Sequence, residues 1–243
     1  MKQVMLWAGA GQIGMAIARR IGAGMKIVVG DKKPENAQAA AKIMQEAGFD
    51  VVPTEMDLSS RDSIRSFVAE GQKYGPIHML VNAAGVSPSQ APIEAILKVD
   101  LYGTAVLLEE VGKVIAPGGS GVTISSQSGW RMPALTAEQD AQLATAPAEE
   151  LLSLDFLRPE NIRDTLHAYQ LAKRCNEKRV WPRRWNGAGG GHGSTTLPPA
   201  SSSLRWPWMN STVPGEIFTR ICLPNAPPDG PARRTRWPLW PSC

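Results

Sequence analysis

The sequence predicts an α/β fold, a doubly wound parallel sheet, and three observations carry that prediction. Five short apolar runs alternate with stretches of helical character before residue 127. The first run, residues 3–8, ends in Gly9-Ala10-Gly11-Gln12-Ile13-Gly14 and passes straight into a helical stretch at 15–20. The second run, residues 26–30, ends in Asp31, 22 residues after Gly9.

In a strand–turn–helix unit of this kind the first glycine permits the tight turn and the second lets the backbone approach a pyrophosphate. The third lets the helix pack on the strand. A helix N-terminus then offers unpaired N–H groups to the anion. Gly9, Gly11, Gln12, Ile13 and Gly14 are therefore candidate dinucleotide-binding residues. A carboxylate at Asp31 accepts hydrogen bonds from an adenosine ribose, which favours NAD and repels the 2′-phosphate of NADP. Lys32 and Lys33 beside it could instead attract that phosphate, so NADP stays open with NAD preferred.

Taken in order, residues 34–47 read as a helix with Pro34 at its start and Gly48 beyond its end. Residues 50–55 read as a third strand, which Pro53 places at a sheet edge. Ser60 can cap a helix running to about Tyr74. Residues 79–81 form a fourth buried strand that delivers Asn82-Ala83-Ala84-Gly85. A long helix is expected over 93–115, ended by Pro117-Gly118-Gly119, and residues 122–126 give the fifth strand.

The 243 residues are enough for one sizeable α/β domain, and 43% of them are hydrophobic. No run approaches the roughly 18 apolar residues of a membrane span. The chain enters the glycine turn directly, with no signal peptide visible. Cys175, Cys222 and Cys243 have neither metal nor disulfide-framework spacing, which suits a reducing cytoplasm. His78 and His167 show no partner spacing for a metal or a triad, so no metal is expected.

The net charge of +4 splits unevenly. Residues 180–243 hold seven arginines and no lysine against Glu216 and Asp229 alone, a net of +5, whereas residues 1–179 carry −1. That tail also holds eleven of the twenty prolines and six of the eight tryptophans. It lacks amphipathic spacing and aromatic repeats, so neither a nucleic-acid nor a membrane partner is expected. Such a composition is what GC-rich coding DNA yields in the wrong reading frame, and a frame change near codon 180 is the expectation. Two units follow: 1–179, and an aberrant tail over 180–243.

The motifs of the first unit resemble, in their order, the short-chain dehydrogenase/reductase family. They are the glycine turn, Asp57-Leu58, Asn82-Ala83-Ala84-Gly85, Ile124-Ser125-Ser126 and Tyr169-Gln170-Leu171-Ala172-Lys173. The resemblance covers residues 1–179 and implies a Rossmann fold that here lacks its last two strands and ends in an irregular tail. It implies hydride transfer between NAD(P) and a secondary alcohol or ketone. It also implies that Asp57 meets the adenine, with Leu58 beside it, and that Asn82, Ala83, Ala84 and Gly85 line the cofactor. A homodimer or homotetramer is implied too, paired through the helix after Ile93 and the Tyr169 helix.

Hydride transfer from an alcohol needs a group that takes the hydroxyl proton. Tyrosine, with an ordinary pKa of about 10, needs a nearby cation to serve near neutrality. Four residues apart on a helix, Tyr169 and Lys173 share a face. In the enzymes it resembles, the lysine also holds the nicotinamide ribose and a serine orients the substrate oxygen, roles that fall to Lys173 and Ser126. Ser125 and Ser128 compete for the serine role, Ser126 being preferred by alignment to the family's Ile-Ser-Ser.

Two departures stand out. Ser126 and Tyr169 are 43 residues apart where about a dozen is usual, a longer insertion similar to that of some bacterial 3α-hydroxysteroid dehydrogenases. That insertion is read either as a substrate lid, with Trp130, Met132 and Leu135 facing an apolar substrate, or as an oligomer contact. Asp100 stands where the family usually has an asparagine that anchors a proton-relay water. The rival reading for the whole unit is a dinucleotide-binding module without catalysis, or an inactive, truncated chain.

Overall fold

The computed structural model describes residues 2–185 and 218–222. Its elements follow the expected alternation: β1 (Val4–Ala8), α1 (Gln12–Ile21), β2 (Lys26–Asp31), α2 (Pro34–Glu46), β3 (Asp50–Glu55), α3 (Arg61–Gln72) and β4 (Ile77–Asn82). Then come α4 (Ile93–Ile96), a π-helical stretch Leu97–Gly103, α5 (Thr104–Gly112) and β5 (Ile115–Ile124). A 3-10 turn (Gln127–Gly129), α6 (Ala137–Thr145), α7 (Ala148–Leu151), two further 3-10 turns (Asp155–Leu157 and Pro159–Asn161), α8 (Thr165–Trp185) and β6 (Phe218–Cys222) complete them.

The sheet runs β3-β2-β1-β4-β5-β6, with the first five strands parallel. β1 explains why its sequence is an unbroken apolar run. Val4, Leu6 and Ala8 face the core shared with α3 and α5, while Met5 and Trp7 face the core shared with α1 and α2. Pro53 sits on the edge strand β3, where no neighbour needs its missing N–H. Ser60 caps α3 by accepting the Ser63 N–H.

Three places differ from expectation. The single helix expected over 93–115 is broken by a π turn at Leu97–Gly103 and stops at Gly112. Pro117-Gly118-Gly119 does not end that helix; it lies inside β5. There the register against β4 jumps from Ile77↔Ile115 to Met79↔Ser120, with Gly118 at φ 77°. The apolar Ile115 pairs beside Ile77 and draws the strand start forward, and glycine absorbs the irregularity.

The backbone of α8 also continues to Trp185, six residues past the boundary read at Arg179, although Pro182 lacks an N–H for the helix ladder. From the tail, β6 pairs antiparallel with β5 and so does not extend the parallel set. The imitation turn at 210–215 and the rest of the tail lie outside the described residues.

The insertion is docked on its own chain. Asp140 of α6 accepts two hydrogen bonds from Arg174, at 3.0 and 2.8 Å, and pairs with Lys178 at 3.0 Å. Glu109 of α5 accepts the Ala148 N–H at 3.1 Å, and Arg179 donates to the Ala146 carbonyl. Arg61 clasps Glu109, Glu110 and Glu149 together, and the Tyr102 hydroxyl donates to Glu149 at 2.9 Å. Leu143 and Leu151 are fully buried beneath these pairs. Trp130, which the lid reading has facing substrate, is 57% exposed with the Arg174 guanidinium 5.0 Å from its ring centre.

Candidate active site

The glycine turn separates packing from access. Gly9 has φ +86°, and a β-carbon there would stand 2.5 Å from the Cα and N of Ala84. A β-carbon on Gly14 would strike the Trp7 indole, whose N–H donates to the Gly9 carbonyl at 2.6 Å. Gly11 has no atom within 4 Å of such a position, and it opens α1 without any side-chain cap. The turn is thus tight on both flanks and open in the middle. The N–H groups of Gln12 and Ile13, in the first turn of a helix, are not capped by a side chain, so the site fits a pyrophosphate.

Asp31 closes the turn from the end of β2. Its Oδ2 accepts the Ala10 N–H at 3.0 Å, and its Oδ1 accepts from Lys33 N at 3.0 Å and Asn36 Nδ2 at 3.2 Å. Lys32 turns the other way, 3.0 Å from Asp57 Oδ2. Asp57 also accepts from the Ser59 N–H and hydroxyl at 2.9 and 2.7 Å. Burial pushes its carboxyl up, but the Ser59 and Lys32 donors outweigh that and hold it below the ordinary value. Leu58 is buried in the core, with its carbonyl against Gly103, so its side chain is not available to a ligand.

The segment after β4 joins the two halves of the site. Ala83 N donates to the Ala8 carbonyl at 2.9 Å, and Ala84 packs on Gly9. Asn82 is buried; its amide donates to Thr104 Oγ1 at 3.4 Å, and its Oδ1 has no donor among the described residues. A β-carbon on Gly85 would lie 3.0 Å from Asp100 Oδ1, which accepts the Val86 N–H at 2.8 Å. Asp100 therefore tethers this segment to the π turn.

On the other side Asp100 Oδ2 lies 3.7 Å from Lys173 Nζ. Burial raises the Asp100 carboxyl above its ordinary value, against the charge of Lys173 and the Val86 N–H. Lys173 donates to the Ile124 carbonyl at 3.3 Å and lies 5.2 Å from the centre of the half-buried Tyr169 ring. Of the three competing serines, Ser125 is committed elsewhere, its hydroxyl donating to the Lys173 carbonyl at 3.0 Å. Ser126 caps the 3-10 turn by accepting the Ser128 N–H at 3.2 Å, and Gly129 of that turn packs against the Lys173–Arg174 backbone.

Several contributors escaped the sequence reading. Val86 N, the Ile124 carbonyl and the Lys173 carbonyl act through backbone atoms, which leave no residue-type signal. Ser125 and Ser126 lie just past the end of β5 at Ile124 and not on the strand as expected, so strand alternation does not sort them; the contact of Ser125 with the Lys173 carbonyl does. Trp7 behind Gly14 was readable only as an apolar strand residue. His78 meets the Pro76 carbonyl and His167 accepts the Arg163 N–H at 3.3 Å. Among the described residues there is no cluster of three His, Cys, Asp or Glu placed for a metal, and no helix long and apolar enough to cross a membrane.

Comparison with known proteins places the family and the fold. The short chain dehydrogenase family model matches residues 2–137. A short-chain dehydrogenase/reductase of Alternaria brassicicola is 37% identical over 188 residues, which cover 72% of this chain and 66% of that protein. A 3β-hydroxysteroid dehydrogenase of Mediterraneibacter gnavus is 27% identical over 168 residues, covering 64% of this chain and 61% of that one. A variant actinorhodin polyketide ketoreductase, solved with NADPH, superposes with a TM-score of 0.52 at 22% identity, covering 76% of this chain and 64% of that one. At that identity the likeness is one of fold. The chain spans about a third to two thirds of the length of the curated relatives it matches.

Proposed function

The chain belongs to the short-chain dehydrogenase family, and from that premise we propose that residues 1–179 form an NAD(P)-dependent oxidoreductase acting on a secondary alcohol or its ketone. The observation that carries this reading is the convergence of Lys173 on Tyr169, Asp100 and the end of β5, next to a glycine turn open at Gly11.

A bound nicotinamide supplies the acceptor or donor of hydride. Gly9 to Gly14 would hold its pyrophosphate, Asp31 its adenosine ribose, Asp57 and the backbone at Leu58 its adenine, and Asn82 to Gly85 its middle. Asp31 already presents its carboxylate at the turn while Lys32 is engaged by Asp57, which favours NAD over NADP. As alcohol becomes ketone, Tyr169 takes the hydroxyl proton while the carbon–hydrogen bond breaks. Lys173 favours the phenolate that receives it, and the Ser126 hydroxyl donates to the substrate oxygen. In reduction the same proton returns from Tyr169. Lys173 is itself buried, with the Ile124 carbonyl and the Asp100 carboxylate beside its ammonium.

The partners are then a dinucleotide and a small-molecule alcohol or ketone, in the cytoplasm. A dimer or tetramer built on α5 and α8 would have to accommodate α6 and α7, which dock on those helices. Substitution Tyr169→Phe tests the reading against a non-catalytic binding module. Oxidation of a secondary alcohol should fall about 1,000-fold, in line with the loss of a general acid/base, while NAD still binds. Turnover unchanged by that substitution defeats the assignment.

A further inference from the structure

Asp100 is 1% exposed, and a buried carboxylate needs a partner. Its Oδ1 is satisfied by Val86 N at 2.8 Å. Its Oδ2 accepts no hydrogen bond among the described residues and faces Lys173 Nζ at 3.7 Å. From α8, the titratable groups on this side are Lys173 and Tyr169. Gly85 and Val86, which approach Asp100, carry no ionisable side chain, and neither does Ile124, whose carbonyl accepts from Lys173. On its own helix, Lys98 lies over the Tyr102 ring at 4.3 Å, and Tyr102 is bonded to Glu149 of α7. Asp100 and Lys173 thus face one another as a pair, 5.2 Å from the Tyr169 ring centre on the lysine side.

Resting on the oxidoreductase reading, we propose that Asp100 is a positioning residue, the ionised counter-charge of Lys173, and that it thereby sets the pH range in which Tyr169 exchanges its proton. An asparagine at this place would keep an acceptor for Val86 N but cancel none of the ammonium's field. With aspartate the field reaching Tyr169 is that of an ion pair, weaker than that of a lone cation at the same distance. The chain therefore works at a more alkaline pH than its Asp100→Asn form.

Two measurements on the full chain and its Asp100→Asn variant test this. The acid limb of alcohol oxidation should move about one pH unit to lower pH in the variant. Phenolate formation followed by ultraviolet absorbance should move likewise, with the Tyr169→Phe form subtracted to remove the other two of the three tyrosines. The second reading needs no turnover, so a chain without activity defeats the oxidoreductase reading and still leaves the charge pairing tested. An unmoved phenolate step overturns the proposal. Should the variant not fold, carboxyl carbon-13 NMR of the parent chain decides: Asp100 ionised at pH 7 supports the pairing, and Asp100 protonated at pH 7 overturns it.

Discussion

Gly9 lies so close to Ala84 that a β-carbon on it would fall 2.5 Å from the Ala84 backbone, in a conformation with φ +86°. The β1 turn and the segment after β4 are thereby fused into one floor beneath the open Gly11. Gly9→Ala should cost about 3 kcal/mol or more, from the positive φ and the backbone clash together. Gly11→Ala, at φ −73° with nothing near, should leave thermal unfolding almost unchanged. Both should weaken NAD, Gly11→Ala by about tenfold through a side chain standing in the anion's approach. Thermal melts paired with dinucleotide titrations check this; equal destabilisation by the two alanines would contradict it.

Asp31 holds the Ala10 N–H and the start of α2 at once, so its replacement has a structural and a selective effect. Asp31→Ser shortens the carboxylate to a hydroxyl and removes the charge that repels a 2′-phosphate. The ratio of kcat/KM for NAD over NADP should fall at least about tenfold. Lys33, whose side chain is exposed, would then be free to meet the phosphate. A ratio that stays constant would show that Asp31 serves the turn alone.

How far these residues were legible follows from what each signal depends on. β1 and β2 were readable to within a residue because both are buried on two faces, which leaves an apolar run with glycine or aspartate at its end. The Ser60 cap and the edge position of Pro53 rest on local backbone chemistry and came through for the same reason. The π turn at Leu97–Gly103 was invisible. It is fixed by long-range partners, Val86 N and Lys173 meeting Asp100, and by the close approach of Leu58 to Gly103. The start of β5 was misplaced because Pro-Gly-Gly ends helices by local chemistry, whereas pairing with Ile77 decides the strand here. Lys173 and Tyr169 were readable by spacing, but which serine joins them depended on Ser125 turning to the Lys173 carbonyl.

Asp140 anchors the insertion to α8 through Arg174 and Lys178, and its carboxyl is held below the ordinary 3.8 by the Arg174 hydrogen bonds first, against a smaller push from burial. A carboxyl with a lowered folded value stabilises the fold above its unfolded pKa and loses that contribution as pH falls through the folded one. The parent chain should therefore be more stable than Asp140→Asn by about 1–2 kcal/mol near pH 7, the bidentate arginine pair being mostly shielded from water. That margin should shrink as pH falls below about 4, the unfolded value, and be lost as pH passes through the lowered folded one. Urea unfolding of both chains at pH 7, 5 and 3, with hydrogen exchange over residues 137–151, measures it. A margin that stays constant from pH 7 to pH 3 would mean that Asp140 acts by packing and not by charge.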